Sequence, residues 1–516
     1  MINKGKANKT ETALKVCVFL GLFIFACIYC RAKRTFMTDE SLSFALSNDP
    51  VTGWVSYANP GWYTHDTFRT WAATVPFNWS RVFLNQKYDV HPPLYYLILH
   101  AVCSVFAGHL SIWFGLVINL LAYMGCCQLV YRIAAHFTSR PLFALLAVLL
   151  YGLNPSTLYG LQMIRMYQLT SLFVLWFAWA GIRFVESEKC GWKEVLPLIL
   201  SVICGGLTHY FFYFIMLSLC LAFAVCLLCS RRFGRLFLAA LAVGGASALN
   251  LFVLFPATRE HLFSSASNGA HGSHVLTALQ DSLIHLSAME EFLRLGWCSK
   301  PLFVLMLLLF PAGLLAGWLR HKPSLVLTSL MGIAWIINFT IVAGSSTFME
   351  NRYLIPSDAV GMVSLAVTVL LLLEEAFKRP GVWVACAAAA LFTVFQLDMT
   401  GLQYLETKTP WNYAGEHSTW PLLIVTDRPD YDINTSFLEI WKYENVGILN
   451  PSVHIDPPET ISGPNFVLYA DRRYQEEEIK AFLSEDFLQG RRFSLQPVGS
   501  MTTYFAIYEI TAEETP

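Results

Sequence analysis

The stretch Tyr88–His100, YDVHPPLYYLILH, decides how this chain is threaded through a membrane. Two ionisable residues, Asp89 and His91, come directly before a double proline, and the apolar run Leu94–Ala107 follows. A membrane-spanning helix needs roughly 20 apolar residues, whereas runs of about 10–14 are typical of interfacial or re-entrant segments. The run is therefore predicted to lie in the membrane interface, which leaves Asp89 and His91 on the same side as the loop before them.

The composition predicts a polytopic membrane protein. Hydrophobic residues make up 55% of the 516 residues and charged residues only 14%, which is too apolar for an ordinary soluble globule. A formal net charge of -1 gives no indication of nucleic-acid binding. The 13 cysteines lie mostly inside apolar runs and show neither metal-site spacing nor a disulfide framework, so they are predicted to be packing residues.

About eleven apolar stretches are predicted to be membrane spans. They are Val16–Cys30, Leu110–Tyr131, Pro141–Leu158, Gln168–Phe184, Val195–Leu207, Tyr210–Cys229, Leu236–Pro256, Pro301–Leu319, Ser324–Ala343, Leu354–Leu373 and Val382–Leu397. No small-residue cleavage site follows the first stretch, so it is predicted to remain as an anchor.

The basic residues orient these spans, because Lys and Arg are enriched in cytoplasmic turns. With the N-terminus inside, every inner turn is basic. The inner turns hold Arg132 and Arg140; Lys189 and Lys193; Arg231, Arg232 and Arg235; Arg320 and Lys322; and Lys378 and Arg379. Counting Leu94–Ala107 as a span would put these turns outside, so the charge pattern independently supports the interfacial prediction. Arg31, Lys33 and Arg34 are an exception, since they fall outside.

The predicted fold is an all-α polytopic membrane bundle with a small C-terminal extracytoplasmic α/β domain. Residues 1–399 form the transmembrane module, and residues 31–109 form its first outer loop with juxtamembrane helices. Residues 400–516 form the soluble domain, because strand-like runs such as NFVLYAD alternate there with helical ones such as EEEIKAFLSEDF. In the outer loop Ala257–Lys300, leucines at helical spacing predict either an interfacial helix or packing against the bundle.

Ionisable residues are nearly absent from the predicted spans, and Arg165, His209, Arg352 and the carboxylates gather at the outer side instead. Ion-coupled transporters need ionisable groups within the bilayer, where the ion pathway runs. The pattern therefore disfavours a coupled transporter and favours an enzyme that acts at one surface on a lipid-attached substrate.

Asp39 and Glu40, in the segment TDES, come shortly after the first span. A carboxylate at this place can act as a general base that takes a proton from an attacking hydroxyl. The alternative is structural, because Thr38 or Asp39 can cap a helix that begins at Glu40.

Asp89 and His91 are separated by one residue, so in an extended segment before proline their side chains point the same way. With His209 from another outer turn they can hold a divalent cation, or they can relay a proton. Satisfaction by ordinary hydrogen bonds is the alternative. The double proline is predicted to start the following helix.

Arg165 and Arg352 stand where spans begin at the outer side, and Tyr167 and Tyr353 follow them closely. A guanidinium group suits phosphate because its fork of donors binds two oxygens at once. The alternative is that these arginines extend towards lipid headgroups without a specific ligand.

Five short segments resemble the GT-C superfamily of glycosyltransferases that use polyprenyl-phosphate sugars. The segments are TDES, YDVHPPLYYLILH, NPSTLYGLQMIRMYQL, LTHYFFYF and ENRYLIP, which occur in the family's order over Phe36–Pro356. The resemblance is closest to the protein O-mannosyltransferase and lipid A aminoarabinose transferase branch. That family has a large first outer loop with juxtamembrane helices, as the span count also predicts here.

The resemblance implies inverting sugar transfer, with Asp39 as catalytic base and Glu40 as an accessory acidic residue. It also implies that Asp89 and His91 form a donor-side or metal-side pair. The residues that the resemblance places around the donor are Tyr95, Arg165, Tyr167, His209, Tyr210, Arg352 and Tyr353. His91 stands where the aminoarabinose branch usually has lysine, so that branch's substrate and metal site do not transfer to this chain.

The resemblance further implies a bacterial cytoplasmic-membrane protein with its active site and C-terminal domain outside. The donor would be carried on undecaprenyl phosphate, and the acceptor would be a glycan, lipid or protein of the envelope. A divalent metal ion is the only cofactor considered. The rival hypotheses are a flippase for lipid-linked sugars, a non-catalytic envelope-assembly protein, and a membrane phosphotransferase.

Overall fold

The computed structural model describes most of the chain. The described residues are 9–33, 36–48, 59–65, 75–89, 91–138, 141–189, 191–263, 289, 293, 296–345, 351–376, 408–453, 455–456, 463–488, 491–502 and 504–513. The predicted span Val382–Leu397, the inner-turn residues Arg140, Lys378 and Arg379, most of the leucine-rich loop and the predicted boundary at residue 400 lie outside this set.

Helices account for most of the described chain. They are α1 (Lys9–Arg31), α2 (Thr38–Asn48), α3 (Trp79–Tyr88), α4 (Leu94–Val105), α5 (Trp113–Phe137), α6 (Pro141–Gly152), α7 (Pro155–Gln162), α8 (Tyr167–Glu186), α9 (Trp192–Gly206), α10 (Phe211–Cys229), α11 (Phe233–Leu249), α12 (Ala257–Phe263), α13 (Lys300–Leu319), α14 (Pro323–Ser345), α15 (Ile355–Ala376), α16 (Lys408–Glu416), α17 (Pro429–Ile440) and α18 (Glu476–Phe482). The strands are β1 (Gly61–Thr64), β2 (Leu422–Val425), β3 (Asn445–Leu449), β4 (Asn465–Asp471), β5 (Phe493–Met501) and β6 (Phe505–Ala512).

The predicted helical bundle is confirmed. Within the described residues, 8 helices are long and apolar enough to cross a membrane, namely α1, α5, α8, α10, α11 with its π-helical extension Asn250–Leu254, α13, α14 and α15. Two other predicted spans do not form a single helix that is long enough to cross a membrane. The helix α9 has only 15 residues and contains Pro197, and the stretch predicted as Pro141–Leu158 is broken into α6 and α7. The protein is therefore a multi-pass membrane protein.

The break between α6 and α7 bends the chain by 58° at Asn154. The cause is local, since Pro155 follows and disfavours helical backbone at the residue before it. Asn154 is extended, with ψ of 136°, and its side chain accepts a hydrogen bond from the Ser156 amide as an N-cap. The helix α7 that follows this break leads to Arg165, which comes shortly after α7 ends.

The run after the double proline forms α4, a helix of 12 residues. It is too short to span a bilayer, as the sequence predicts. Pro92 and Pro93 come directly before it, and the Leu94 amide donates to the carbonyl of Leu207 at 2.9 Å.

The chain divides into two compact units. The helical unit comprises Met1–Cys30, Gln86–Tyr95 and Gly115–Gly401, and the sheet unit comprises Arg31–Asn85, Tyr96–Phe114 and Leu402–Pro516. In the helical unit, α14 packs against α10, α13 and α15, and α8 packs against α9, α10 and α15.

The sheet unit contains the predicted strands β2, β4 and β6, and three strands that the sequence analysis did not predict, β1, β3 and β5. Its six strands lie in the order β1-β3-β2-β4-β6-β5, with β2 parallel to both β3 and β4. The additional strand β1, from the first loop, pairs antiparallel with β3. Gly447 is required there, because a Cβ at this position would lie 2.7 Å from the Trp62 ring. The described elements α2 and β1 of the first loop thus pack with the C-terminal tail.

A buried acid lies in this unit. Glu439 of α17 has 0% exposure, so its carboxyl group is removed from water. Burial raises the pKa of this carboxyl to about 8, although Ser436 and the Lys442 ammonium act in the opposite direction. Glu439 is therefore mostly protonated at neutral pH in the folded protein.

Glu439→Gln is expected to stabilise the sheet unit at neutral pH and to change little at about pH 4. An unfolded chain ionises this glutamate near its ordinary pKa of 4.5, whereas the folded protein keeps it neutral up to about 8. The folded state therefore loses stability as the pH rises through that window, by roughly 3 kcal/mol at pH 7. Thermal unfolding across the window measures the effect, and Glu477→Gln, at an exposed acid, is the control. Equal pH dependence in wild type and Glu439→Gln would contradict the assignment.

Candidate functional site

Three long helices of the helical unit begin beside predicted site residues. Arg165 comes just before α8, His209 and Tyr210 come before α10, and Arg352 comes before α15. The N-terminal end of a helix carries a partial positive charge and unsatisfied N–H groups, which favour an anion. The sequence thus places its basic residues where the backbone itself already attracts negative charge.

Aromatic rings hold these three helix starts together. The ring centroids of Tyr167 and His209 are 5.3 Å apart, and those of Tyr167 and Tyr353 are 6.4 Å apart. Phe211 meets Tyr353 edge to face at 5.1 Å. Segments that are far apart in the sequence therefore converge at one end of the helical unit.

A chain of polar contacts links Asp89, His91 and Arg165. Nδ1 of His91 lies 2.9 Å from Oδ2 of Asp89, and its Nε2 lies 3.4 Å from Nη2 of Arg165. The carboxylate can only accept and the guanidinium can only donate, so His91 is assigned as a neutral ring with its proton on Nδ1. The ring also stacks on Tyr210, with centroids 6.2 Å apart. The aspartate thereby orients the histidine, which in turn contacts the arginine.

Both arginines are almost buried. Arg165 is 4% exposed and Arg352 is 9% exposed, and the Arg352 Cζ lies 5.4 Å from the centroid of the Tyr353 ring. A guanidinium group keeps its charge at any physiological pH, so burying it is costly unless negative charge compensates. Two such groups near three helix N-termini make this end of the unit strongly attractive to an anion.

Residues that the sequence analysis did not single out hold Arg165 in place. The Asn119 amide donates to the carbonyls of Gly160 at 3.4 Å and Leu161 at 3.3 Å, and also to that of Met163. These carbonyls come at the end of α7 and just beyond it, where a helix leaves acceptors unsatisfied. No sequence signal relates Asn119 to this turn, because the two are about forty residues apart.

A second buried contact holds the segment of Arg352. The Ser156 hydroxyl donates to Oδ2 of Asp358 at 2.6 Å, and the Asn351 amide lies 3.5 Å from the same hydroxyl. The Ser156 hydroxyl at the start of α7 therefore joins Asp358 of α15 to the residue beside Arg352.

His261 of α12 is a further residue near the site. It forms a hydrogen bond with the backbone of Lys87, and it interacts electrostatically with the Asp89 carboxylate. Burial lowers the pKa of His261, and the Asp89 carboxylate opposes that change. The sequence analysis did not single out this histidine.

The predicted metal set of Asp89, His91 and His209 is not confirmed. His209 is near His91, with ring centroids 5.7 Å apart. Among the described residues, however, no group of three or more His, Cys, Asp or Glu side chains has a geometry that could hold a metal ion. Both ring nitrogens of His91 already face Asp89 and Arg165, and a cation bound at Nε2 would be repelled by the guanidinium. In this arrangement Asp89, His91 and His209 do not fit a resident cation, and a divalent metal ion held in another way stays a prediction.

The other predicted site residues differ in the unit to which they belong and in their exposure. Tyr95 lies in the helical unit near the start of α4 and is fully buried. Asp39 and Glu40 belong to the sheet unit, where they begin α2, which packs against α17. Asp39 is partly exposed.

Glu40 is committed to structural contacts. It has 0% exposure, its Oε2 lies 2.8 Å from the Lys33 ammonium, and the same oxygen accepts from the Met37 amide at 2.6 Å. A glutamate that reaches back from the first helical turn to a backbone amide is half of a capping box. The capping role considered for this segment thus falls on Glu40.

Comparison with known proteins gives structural similarities only. No protein-family profile matches this sequence, and no curated protein sequence matches it. The crystal structure of ArnT from Cupriavidus metallidurans bound to undecaprenyl phosphate is similar over 98% of both chains, with 12% identity and a TM-score of 0.48. The oligosaccharyltransferase AglB from Archaeoglobus fulgidus, in complex with an inhibitory peptide and a dolichol-phosphate, is similar over 96% of this chain and 74% of its own, with 12% identity and a TM-score of 0.46.

A structure of the Archaeoglobus fulgidus oligosaccharyltransferase with Zn and sulfate is similar over 94% of this chain and 73% of its own, with 12% identity and a TM-score of 0.44. ArnT and AglB both belong to the GT-C superfamily, which the sequence motifs also resemble. At this low identity, any reaction assigned to the chain has to rest on its own residues.

Removing one partner of the Lys33–Glu40 pair is expected to destabilise the sheet unit by about 3–5 kcal/mol, because the other charge stays buried. Lys33→Met and Glu40→Gln should each have this effect, and the double variant should recover much of the loss. Thermal unfolding of the four proteins provides the double-mutant cycle. Strictly additive losses would show that the two side chains do not stabilise each other.

Proposed function

We propose that the protein is an integral membrane glycosyltransferase that moves a sugar from a polyprenyl-phosphate donor to an acceptor of the cell envelope. The donor carrier is undecaprenyl phosphate in this proposal, and transfer inverts the anomeric centre. The protein lies in the cytoplasmic membrane of a bacterium, with the reaction on the outer side.

The observation that supports this function most is the convergence of Arg165 and Arg352 at the start of three apolar helices. A polyprenyl-phosphate sugar has an apolar chain and an anionic phosphate, so it requires a cationic group beside lipid-facing helices. Guanidinium groups bind two phosphate oxygens at once. Helix N-termini add further stabilisation of negative charge.

The arginines act on the phosphate as it leaves. When the bond between the anomeric carbon and the phosphate oxygen breaks, the phosphate gains negative charge, and fixed cationic donors stabilise that charge in the transition state. Through Asp89, His91 is held against Arg165, which fixes the position of the guanidinium. His209, Tyr167 and Tyr353 form the wall beside the two arginines.

Asp39 is the proposed base. The acceptor hydroxyl attacks the anomeric carbon from the face opposite the phosphate, and its proton passes to the carboxylate while free polyprenyl phosphate departs. Asp39 suits this role better than Glu40, because Glu40 is buried against Lys33 and the Met37 amide. Glu40 is thus a positioning residue for the turn that carries Asp39.

Asp39→Asn is expected to lower the rate of sugar transfer by about 100-fold or more, since general-base catalysis contributes about 10²–10⁴-fold. Asparagine caps a helix about as well as aspartate, so the loss cannot be attributed to capping. The assay follows sugar transfer and free polyprenyl phosphate in proteoliposomes, with the exposed Glu477→Gln as control.

The same assay separates the rival functions. If the protein is a flippase, neither the wild type nor Asp39→Asn transfers sugar, and the activity that can be measured is translocation of the lipid-linked carrier. If it is a phosphotransferase, the product contains a new phosphoester instead of a glycosidic bond. Unchanged transfer by Asp39→Asn would refute Asp39 as the base.

Arg165→Lys and Arg352→Lys are each expected to lower kcat/KM for the lipid-linked donor by about 10- to 100-fold. Lysine keeps the charge but lacks the fork that binds two oxygens, and a hydrogen bond to a charged group contributes about 1.5–3 kcal/mol. Arg183→Lys, near the opposite end of α8, is the matched control. Equal losses in all three variants would contradict a phosphate site at Arg165 and Arg352.

A further inference from the structure

A pocket of about 1000 Å³ opens at the end of the helical unit opposite the proposed site. It lies where α8 and α10 end and where the turn between α13 and α14 joins them. The proposed site lies at the beginning of α8 and α10. Since α8 has 20 residues, roughly 30 Å of helix separates the two places.

The wall of this pocket is apolar. Val225 of α10, Leu314 and Leu315 of α13, and Val326 of α14 line it. Gly317 lets α13 approach α14 closely, because a Cβ there would lie 2.9 Å from the Val326 backbone nitrogen. An apolar slot between helices of a membrane-spanning bundle suits an acyl chain.

The rim of the pocket is basic. Arg232, His321 and Lys322 line it, and the exposed indole of Trp318 lies beside them. Nη1 of Arg232 donates to the carbonyls of Val185 at 2.8 Å and Ser187 at 3.3 Å, which fixes the guanidinium at the mouth of the pocket.

The acidic residue that lines this rim, Glu186, is paired with a histidine. Glu186, the last residue of α8, pairs with Nε2 of His136. The rim therefore presents excess positive charge above an apolar slot, and Trp is typical of the depth at which lipid headgroups lie.

We propose that this pocket binds one anionic diacyl phospholipid. The headgroup phosphate contacts the rim formed by Arg232, His321 and Lys322, and an acyl chain lies along Val225, Leu314 and Leu315. Basic pockets between transmembrane helices at the positively charged face are suited to anionic headgroups. A free phosphate would leave the apolar slot unused, so the lipid is the better match. The proposal uses none of the residues assigned to sugar transfer.

Native mass spectrometry of the purified full-length protein tests the headgroup contact. The wild type is expected to retain one phosphatidylglycerol more tightly than phosphatidylcholine. Lys322→Gln should weaken phosphatidylglycerol binding about fivefold, since one basic residue near the headgroup contributes about that much. Phosphatidylcholine binding should not change. Lys189→Gln removes the same charge from the same end of the helical unit outside the pocket, so it should have no effect.

A second pair of variants tests the slot. Leu315→Trp fills the pocket and should abolish selective retention, whereas Leu308→Trp, at another exposed position of α13 outside the pocket, should leave it unchanged. Equal affinity for the two lipids would overturn the proposal, as would equal effects of Lys322→Gln and Lys189→Gln. Displacement of phosphatidylglycerol by an equimolar polyprenyl phosphate would assign the pocket to the carrier and overturn it as well.

Discussion

The burial of two guanidinium groups at one end of an apolar bundle is the constraint on which the candidate site depends. Arg165 and Arg352 remain charged there, and the starts of three helices add positive charge around them. The ring of His91 lies between Asp89 and Arg165 and contacts both. A buried, positively charged site of this kind is suited to an anionic group that is attached to an apolar chain. That combination describes a phosphate at the end of a lipid chain better than a soluble anion.

Rigid contacts between segments distant in sequence hold the arginines. Asn119 holds the carbonyls before Arg165, and the Ser156 hydroxyl joins Asp358 to Asn351 beside Arg352. Each contact satisfies buried polar groups that would otherwise be costly inside an apolar bundle. The same groups thus stabilise the bundle and set the spacing of its charges. A helical membrane protein can build a site in this way without placing charge in the middle of its spans.

The sheet unit gives the first loop a defined structure. The strand β1 pairs with β3 and the helix α2 packs on α17, so this loop is fixed by the C-terminal tail. The buried Lys33–Glu40 pair fixes the turn at which α2 begins and leaves Asp39 partly exposed. A carboxylate that must accept a proton benefits from such exposure, whereas one that must hold a turn benefits from burial. The structure therefore gives Glu40 a structural contact, and this difference in environment is the reason for proposing Asp39 as the base.

The sequence by itself determined the bundle, the shortness of helix α4 and the strands β2, β4 and β6, because long apolar runs and alternating patterns are local signals. It also identified the residues of the aromatic and basic cluster, since polar groups beside spans are conspicuous. It could not find the break at Asn154, the strand β1, or Asn119 and Asp358 as supports, nor could it distinguish Asp39 from Glu40. Those features depend on which distant segments pack together, and only the tertiary structure decides which polar group is buried, which is paired and which stays accessible.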